Sequence, residues 1–291
     1  MTVLAKVSDR RAHWGALAHR AEADVPAIMR GYQALLNGVT SRILEAVSEG
    51  ADPLSLAGNA LSGFSETLEA FETDIALEAA VRGYLLAGGL MGRKAFLGWR
   101  VLAKAAGAVA MEPGYGTDEQ LANHLRPSIA AWVEQTSRHE TATTAQQLDK
   151  YLKEAFTYQT PSGMGMTPDQ VAAELKRRLT KGNKHRAEML ARTLSLWAYN
   201  EGAMALYRDE GVGAVEWMAT EDDLTCPYCM AIDGAQMPTG ELFGLAGDEI
   251  DGLEELGGGT MTLGFDTQHP PLHPHCRCIL APVVLASQIK G

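Results

Sequence analysis

The sequence predicts a mainly α fold, with a helical N-terminal region followed by a small α+β C-terminal module. Three observations carry that expectation. Apolar residues before residue 160 recur at steps of three and four, the period of a helix with one buried face. All four cysteines fall between 226 and 278, in two close pairs. Charge is also divided unevenly: from Gly213 to Gly291 there are 12 acids against Arg277 and Lys290, whereas the first 212 residues carry 24 acids and 23 bases.

Ile28, Tyr32, Leu35, Val39, Ile43 and Val47 mark a first amphipathic helix, which Gly50 should stop. Phe64, Leu68, Phe71 and Ile75 mark a second. Gly88-Gly89, Gly92 and Gly98 interrupt the next stretch and read as close helix packing rather than a hinge. A turn is expected at 113–116, then a long polar helix from Thr117 to Phe156. Its apolar face thins between Glu134 and Gln147, which predicts solvent exposure or a partner helix there.

A loop of Pro, Ser and Gly near 160–166 places a boundary, giving regions 1–160 and 161–291. Thr167-Pro168-Asp169-Gln170 then has the composition of a capping box with proline at the first helical position. That helix should end near Thr180, and Lys181-Gly182-Asn183 should separate it from another. Leu190, Leu194, Trp197, Met204 and Tyr207 form the second helix's buried face, ending at Gly211. Glu201 falls on that face and needs a partner or an edge position. A strand is expected at 214–220, with Val215, Trp217 and Ala219 pointing one way, and a closing strand from Cys278 to Leu285. Between them, the acidic segment 240–264 should be loop-rich, with Gly257-Gly258-Gly259 flexible.

The chemistry lies in the module at 213–285. Cys226-Pro227-Tyr228-Cys229 can supply two ligands from one tight turn, and zinc takes four in tetrahedral geometry, usually thiolates and imidazoles. The rest would come from His273, Cys276 and Cys278; the last two share a face if the chain there is extended. Structural zinc leads. The 46 residues between the pairs exceed the spacing of common zinc ribbons, so disulfides in a finished particle and unliganded thiols stay open.

Enzyme readings are weaker. Cys-Pro-Tyr-Cys after a strand resembles a glutaredoxin active site, but that fold needs a βαβ unit and a helix directly after the motif, which this sequence does not announce. Glu221, Asp222 and Asp223 would raise a thiol pKa rather than lower it. There is no Walker loop, no Gly-x-Ser-x-Gly, and His139-Glu140 is followed by Thr143 where a zinc protease has histidine. The charge balance disfavours DNA binding through phosphates. The longest uncharged apolar run, 83–92, is too short to span a bilayer, and the charged segment 1–31 does not read as a secretory signal, so a soluble protein made in the cytoplasm is expected.

The combination of Asp222-Asp223-Leu224-Thr225-Cys226-Pro227-Tyr228-Cys229, Asp233-Gly234 and Pro270-Pro271-Leu272-His273-Pro274-His275-Cys276-Arg277-Cys278 resembles the signature of the phage Mu F-like minor head proteins, or head morphogenesis proteins. Ala191-Arg192-Thr193, Asn200 and Gly211-Val212 resemble the helix that precedes it, so the likeness covers about 165–285. It implies a low-copy structural protein of a phage head, made in the host cytoplasm, associated with portal and capsid proteins. It implies a role in head assembly and DNA packaging or ejection, close to packaged DNA without sequence-specific binding, and no membrane partner. Carried over by position, Cys226, Cys229, His273, Cys276 and Cys278 define the module's core and Arg192 pairs with Asp222 or Asp223; a solvated Arg192 is the other reading. With 13 residues after Cys278, a toxin cargo is not expected. The helical region 1–160 is then the docking surface, and a fragment such as 165–291 is expected to fold by itself. The runner-up is a zinc- or thiol-dependent enzyme using Cys226 and Cys229.

Overall fold

A computed structural model describes residues 7–49, 61, 63–91, 118–157, 168–220 and 225–283. Four long helices come first: α1 (Val7–Ser48), α2 (Phe64–Leu90), α3 (Asp118–Thr157) and α4 (Pro168–Asp209). The module follows as β1 (Ala214–Met218), the short α5 (Pro227–Ala231), β2 (Gln236–Pro238), β3 (Glu249–Asp251), a 3-10 turn (Glu254–Leu256), β4 (Thr260–Thr262) and β5 (Ile279–Pro282). Gly50, Gly92, Gly98, the turn at 113–116, the boundary loop at 160–166 and Thr167 lie outside the described residues.

The contacts group into two compact units, each discontinuous in sequence: Met1–Val25 with Ala76–Pro127 and Arg192–Gly291, and Pro26–Ile75 with Ser128–Ala191. Pro26 lies inside α1 and Pro127 inside α3. Each removes one backbone donor where the chain passes from one unit to the other.

The second unit is all helix. Ile28, Tyr32, Leu36, Val39 and Ile43 are buried on α1, with Leu36 rather than Leu35 in the innermost position. The α2 stripe is buried at Phe64 and Leu68 and continues through a carboxylate, Glu72, rather than through Phe71 and Ile75, which are half-buried. The polar stretch of α3 is neither solvated nor waiting for a partner. Ser137, Glu140 and Thr144 continue the buried stripe begun by Ile129 and Val133. The Arg186 guanidinium donates to both the backbone carbonyl and the carboxylate of Glu140, while the Ser137 and Thr144 hydroxyls donate to Glu134 O and Glu140 O of their own helix. The predicted break at Lys181-Gly182-Asn183 does not occur, and α4 runs unbroken from Pro168 to Asp209. A glycine inside a helix costs only about 1 kcal/mol, and Asn183 Nδ2 donates to Thr40 Oγ1 at 3.0 Å, a tertiary bond that helps offset it.

In the first unit, α4 is buried all round from Leu194 to Tyr207, as the interior helix of a core must be. Segments of α1 and α2 cover it: Ser195 donates to Ala21 O, Tyr199 to Asp24, and Gly202 lies against Ala80 and Tyr84. A fragment 165–291 would lack those covering segments. Gly83 on α2 likewise meets the Tyr199 backbone. In an exposed helix Gly→Ala stabilises by about 1 kcal/mol. Here a methyl at Gly202 would collide with the Ala80 carbonyl oxygen, a backbone atom that cannot rotate away. Gly202→Ala should therefore destabilise the protein by roughly 1–3 kcal/mol in urea unfolding; a gain would show that the two helices separate freely.

Helix α4 ends with Gly211 at φ 65° and the Val212 N–H returning to Tyr207 O at 2.9 Å, a left-handed C-terminal cap. The chain then enters an antiparallel sheet ordered β2-β1-β5. Val215 pairs with Met237 and Pro282, and Trp217 with Leu280. Val215, Trp217 and Ala219 are buried as the alternation predicts, but so is Met218, which shares a groove with Gly15 and Ala18 of α1. The acidic stretch holds a second small hairpin, β3 with β4. Gly258 is packed against the Gly252 backbone with no room for a side chain. No described helix is long and apolar enough to cross a membrane.

Candidate metal centre

Cys226 leaves the sheet in an extended conformation and acts as N-cap of α5, with Pro227 at the first helical position. The Cys229 N–H donates to the Cys226 sulfur at 3.3 Å, so the Cys-x2-Cys turn aims an amide at its own thiol. The second arm enters from the 269–278 loop. His273 Nδ1 lies 2.7 Å from Pro274 O, which places the proton on Nδ1 and a lone pair on Nε2. That Nε2 is 2.9 Å from Cys226 Sγ and 3.2 Å from Cys229 Sγ. The Cys276 N–H donates to His273 O, closing a turn, and Cys276 Sγ lies 3.7 Å from Cys229 Sγ.

All five residues singled out from the sequence therefore converge. They form two overlapping donor sets, Cys226/Cys229/His273 and Cys229/Cys276/Cys278, each within 4.8 Å and both containing Cys229. The cluster lines a cavity of about 10 Å³. Two thiolates on one tetrahedral zinc, each bonded at about 2.3 Å, sit roughly 3.8 Å apart, close to the Cys229–Cys276 spacing. The cluster could hold a metal ion. All four cysteines are free thiols, and the Cys229–Cys276 separation is far beyond the roughly 2 Å of a disulfide bond.

Electrostatics agree with that fit. Hydrogen bonding with Cys276 and Cys278, then burial, pushes the Cys229 thiol far up. Burial pushes Cys276 up too, but hydrogen bonds from Cys229 and Cys278 outweigh it and hold Cys276 well below its usual range. At Cys278 the bond from Cys229 lowers the pKa, yet Cys276 and burial raise it overall. A bound cation would favour ionisation of thiols held this close together.

Residues 160–281 match the family of Phage Mu protein F like proteins. No curated protein and no solved structure matches the chain.

Within this F-like segment, Asp233 is a structural tie. Its carboxylate accepts from the Ala219 N–H at 2.7 Å and from Arg11, which also donates to Ala219 O at 2.9 Å. Gly234 follows with φ 78°, a conformation that glycine adopts without strain. The guanidinium of Arg192 engages both carboxylate oxygens of Glu22 on α1; the expected partners Asp222 and Asp223 lie outside the described residues. Glu201 finds its partner in His269, a residue the sequence pattern did not single out. His269 Nε2 lies 2.9 Å from Glu201 Oε2, and Nδ1 lies 2.7 Å from Pro270 O. This buried pair fastens the loop before the cluster to α4. The available signal was the repeated His-Pro step, His269-Pro270 and His273-Pro274. In each, Nδ1 faces the following proline carbonyl, leaving Nε2 for a partner across the fold.

The glutaredoxin comparison fails on topology. The motif does open a helix, which the sequence did not announce, but α5 has five residues and leads into antiparallel β2 rather than a parallel βαβ crossover.

Proposed function

We propose that the protein is a structural minor head protein of a phage. It docks on portal or capsid proteins through its helical region, 1–160, and its F-like segment, within 161–291, is held together by zinc. One observation supports this above the others: Cys226, Cys229, His273, Cys276 and Cys278, all within the matched segment, lie together in two overlapping groups that could hold a metal ion. Zinc is the metal that mixed thiolate and imidazole donors in tetrahedral geometry favour. The role is assembly, with effects on packaging or ejection, and the chain does no catalysis. Its place is the virion head, reached from the host cytoplasm. The net charge of -10 over 213–291 sets the module against tight contact with packaged DNA.

The test is assembly with the whole chain. Heads produced with the full-length protein should contain it at low copy beside the portal in a particle reconstruction, and Gly202→Ala, if folded, should still be incorporated. Its absence from purified heads would end the reading. Rapid reduction of a model disulfide by the wild type, lost in Cys226→Ser, would instead favour the thiol enzyme.

A further inference from the structure

Asn200 lies on α4, is 1% exposed, and touches none of the five donor residues' side chains in any hydrogen bond the structure shows. Its amide is instead laid along the outer edge of β5 and of Cys278, the residue just before that strand. Oδ1 accepts the Leu280 N–H at 2.8 Å, while Nδ2 donates to Cys278 O at 3.3 Å and to Leu196 O of its own helix at 3.0 Å. This is what a neighbouring β-strand would do: one acceptor and one donor offered to residues two apart. On the β1 side, Thr220 Oγ1 donates to Arg277 O at 2.7 Å. The Cys276–Cys278 backbone is therefore held from alternate sides at successive carbonyls, by Thr220 at Arg277 and by Asn200 at Cys278.

We propose that Asn200 is a positioning residue of the metal centre, acting as a one-residue strand surrogate that fixes Cys278 as a ligand. The proposal rests on the metal reading. Asn200 anchors to Leu196 within a helix buried on all sides, so its amide is a fixed reference rather than a mobile contact. The next α4 bond to β5, from Tyr207 Oη to Leu280 O at 3.1 Å, holds the same strand without reaching Cys278 and provides the comparison.

The test uses the full-length protein and Co(II) as the probe, because sulfur-to-cobalt charge-transfer absorption grows with the number of bound thiolates. Asn200→Asp keeps the size and the acceptor for Leu280 but removes the donor to Cys278 O. It should lower Co(II) affinity by about 10–100-fold, the usual cost of an outer-shell change, and reduce the charge-transfer band by one thiolate's share. Tyr207→Phe should keep the wild-type band and affinity. Wild-type behaviour of Asn200→Asp, or an equal loss in Tyr207→Phe, would overturn the proposal. A measurement on the unmutated chain guards against misfolding: metal loading should slow exchange of the Leu280 amide proton, and equal rates with and without metal would also overturn it. A wild type that binds no Co(II) at all is a different result; it defeats the metal reading, and this proposal falls with it.

Discussion

Cys229→Ser should abolish metal binding and melt the C-terminal module while leaving the Tyr32–Glu72 helical unit folded. Cys229 is the one donor common to both ligand sets, and it is 2% exposed. The strands around it are three to five residues long. The module's buried cluster is Trp217, Ala219, Leu263 and Leu272 together with Cys229, Cys276 and Cys278. Three of those seven residues are cysteine, so a module of this size has few apolar side chains to offset chain entropy. Structural zinc contributes an apparent 10–16 kcal/mol in small domains built this way, which dwarfs what the remaining core can supply. Hydrogen exchange should show protection lost at 214–218 and 279–282, both in Cys229→Ser and in chelator-treated wild type. Cys226→Ser should weaken the site less, because Cys226 belongs to one donor set only and is half-buried. Full protection of β1 and β5 without metal would show that the thiols are ordinary core residues.

The module was legible in the sequence because its information is local. Cys-x2-Cys in a turn, Cys276 and Cys278 two apart, and His273 three before Cys276 name candidate donors before any fold is known, and the structure brings those residues together in two overlapping groups. The helices were legible where burial follows apolarity, as at Leu190, Leu194, Trp197, Met204 and Tyr207. Reading failed where a polar residue is buried against a partner far away in the chain. The α3 stripe looked thin because its inner positions are Ser137, Glu140 and Thr144, and the burial of Glu140 is answered by Arg186, 46 residues beyond it. Helix α4 was cut at Gly182 because propensity argues for a break, and the Asn183–Thr40 bond that helps retain the helix cannot be seen from spacing. In each case the local rule lost to a tertiary contact.

Glu72 should make the helical unit less stable as pH rises, and Glu72→Gln should flatten that slope. Glu72 is fully buried. Oε1 accepts the Tyr32 hydroxyl at 2.7 Å, and Oε2 is buried with no hydrogen-bond partner. Burial is the largest influence and raises its pKa; the Tyr32 bond opposes it, Glu140 adds to it, and the carboxyl ends at about 8. Because the folded pKa is above the unfolded value, the folded state holds the extra proton. Its contribution is fully present below the unfolded carboxyl range, near pH 4.5, and is lost as pH rises toward about 8. One unit of pKa difference corresponds to about 1.4 kcal/mol, so the loss across that window is on the order of 5 kcal/mol. The glutamine side chain of Glu72→Gln would be neutral throughout, keeping the Tyr32 acceptor but burying an amide N–H₂ beside the unpartnered position. That cost, roughly 1–3 kcal/mol, does not depend on pH. Urea unfolding of wild type and Glu72→Gln at pH 5, 6.5 and 8 should thus show the wild type ahead or level at pH 5 and the variant ahead at pH 8. The difference between the two curves removes the titration of Glu140, whose pKa is also raised by burial against the opposing pull of Arg186. Parallel curves would mean that Glu72 is ionised inside the fold and that a group other than Tyr32 compensates its charge.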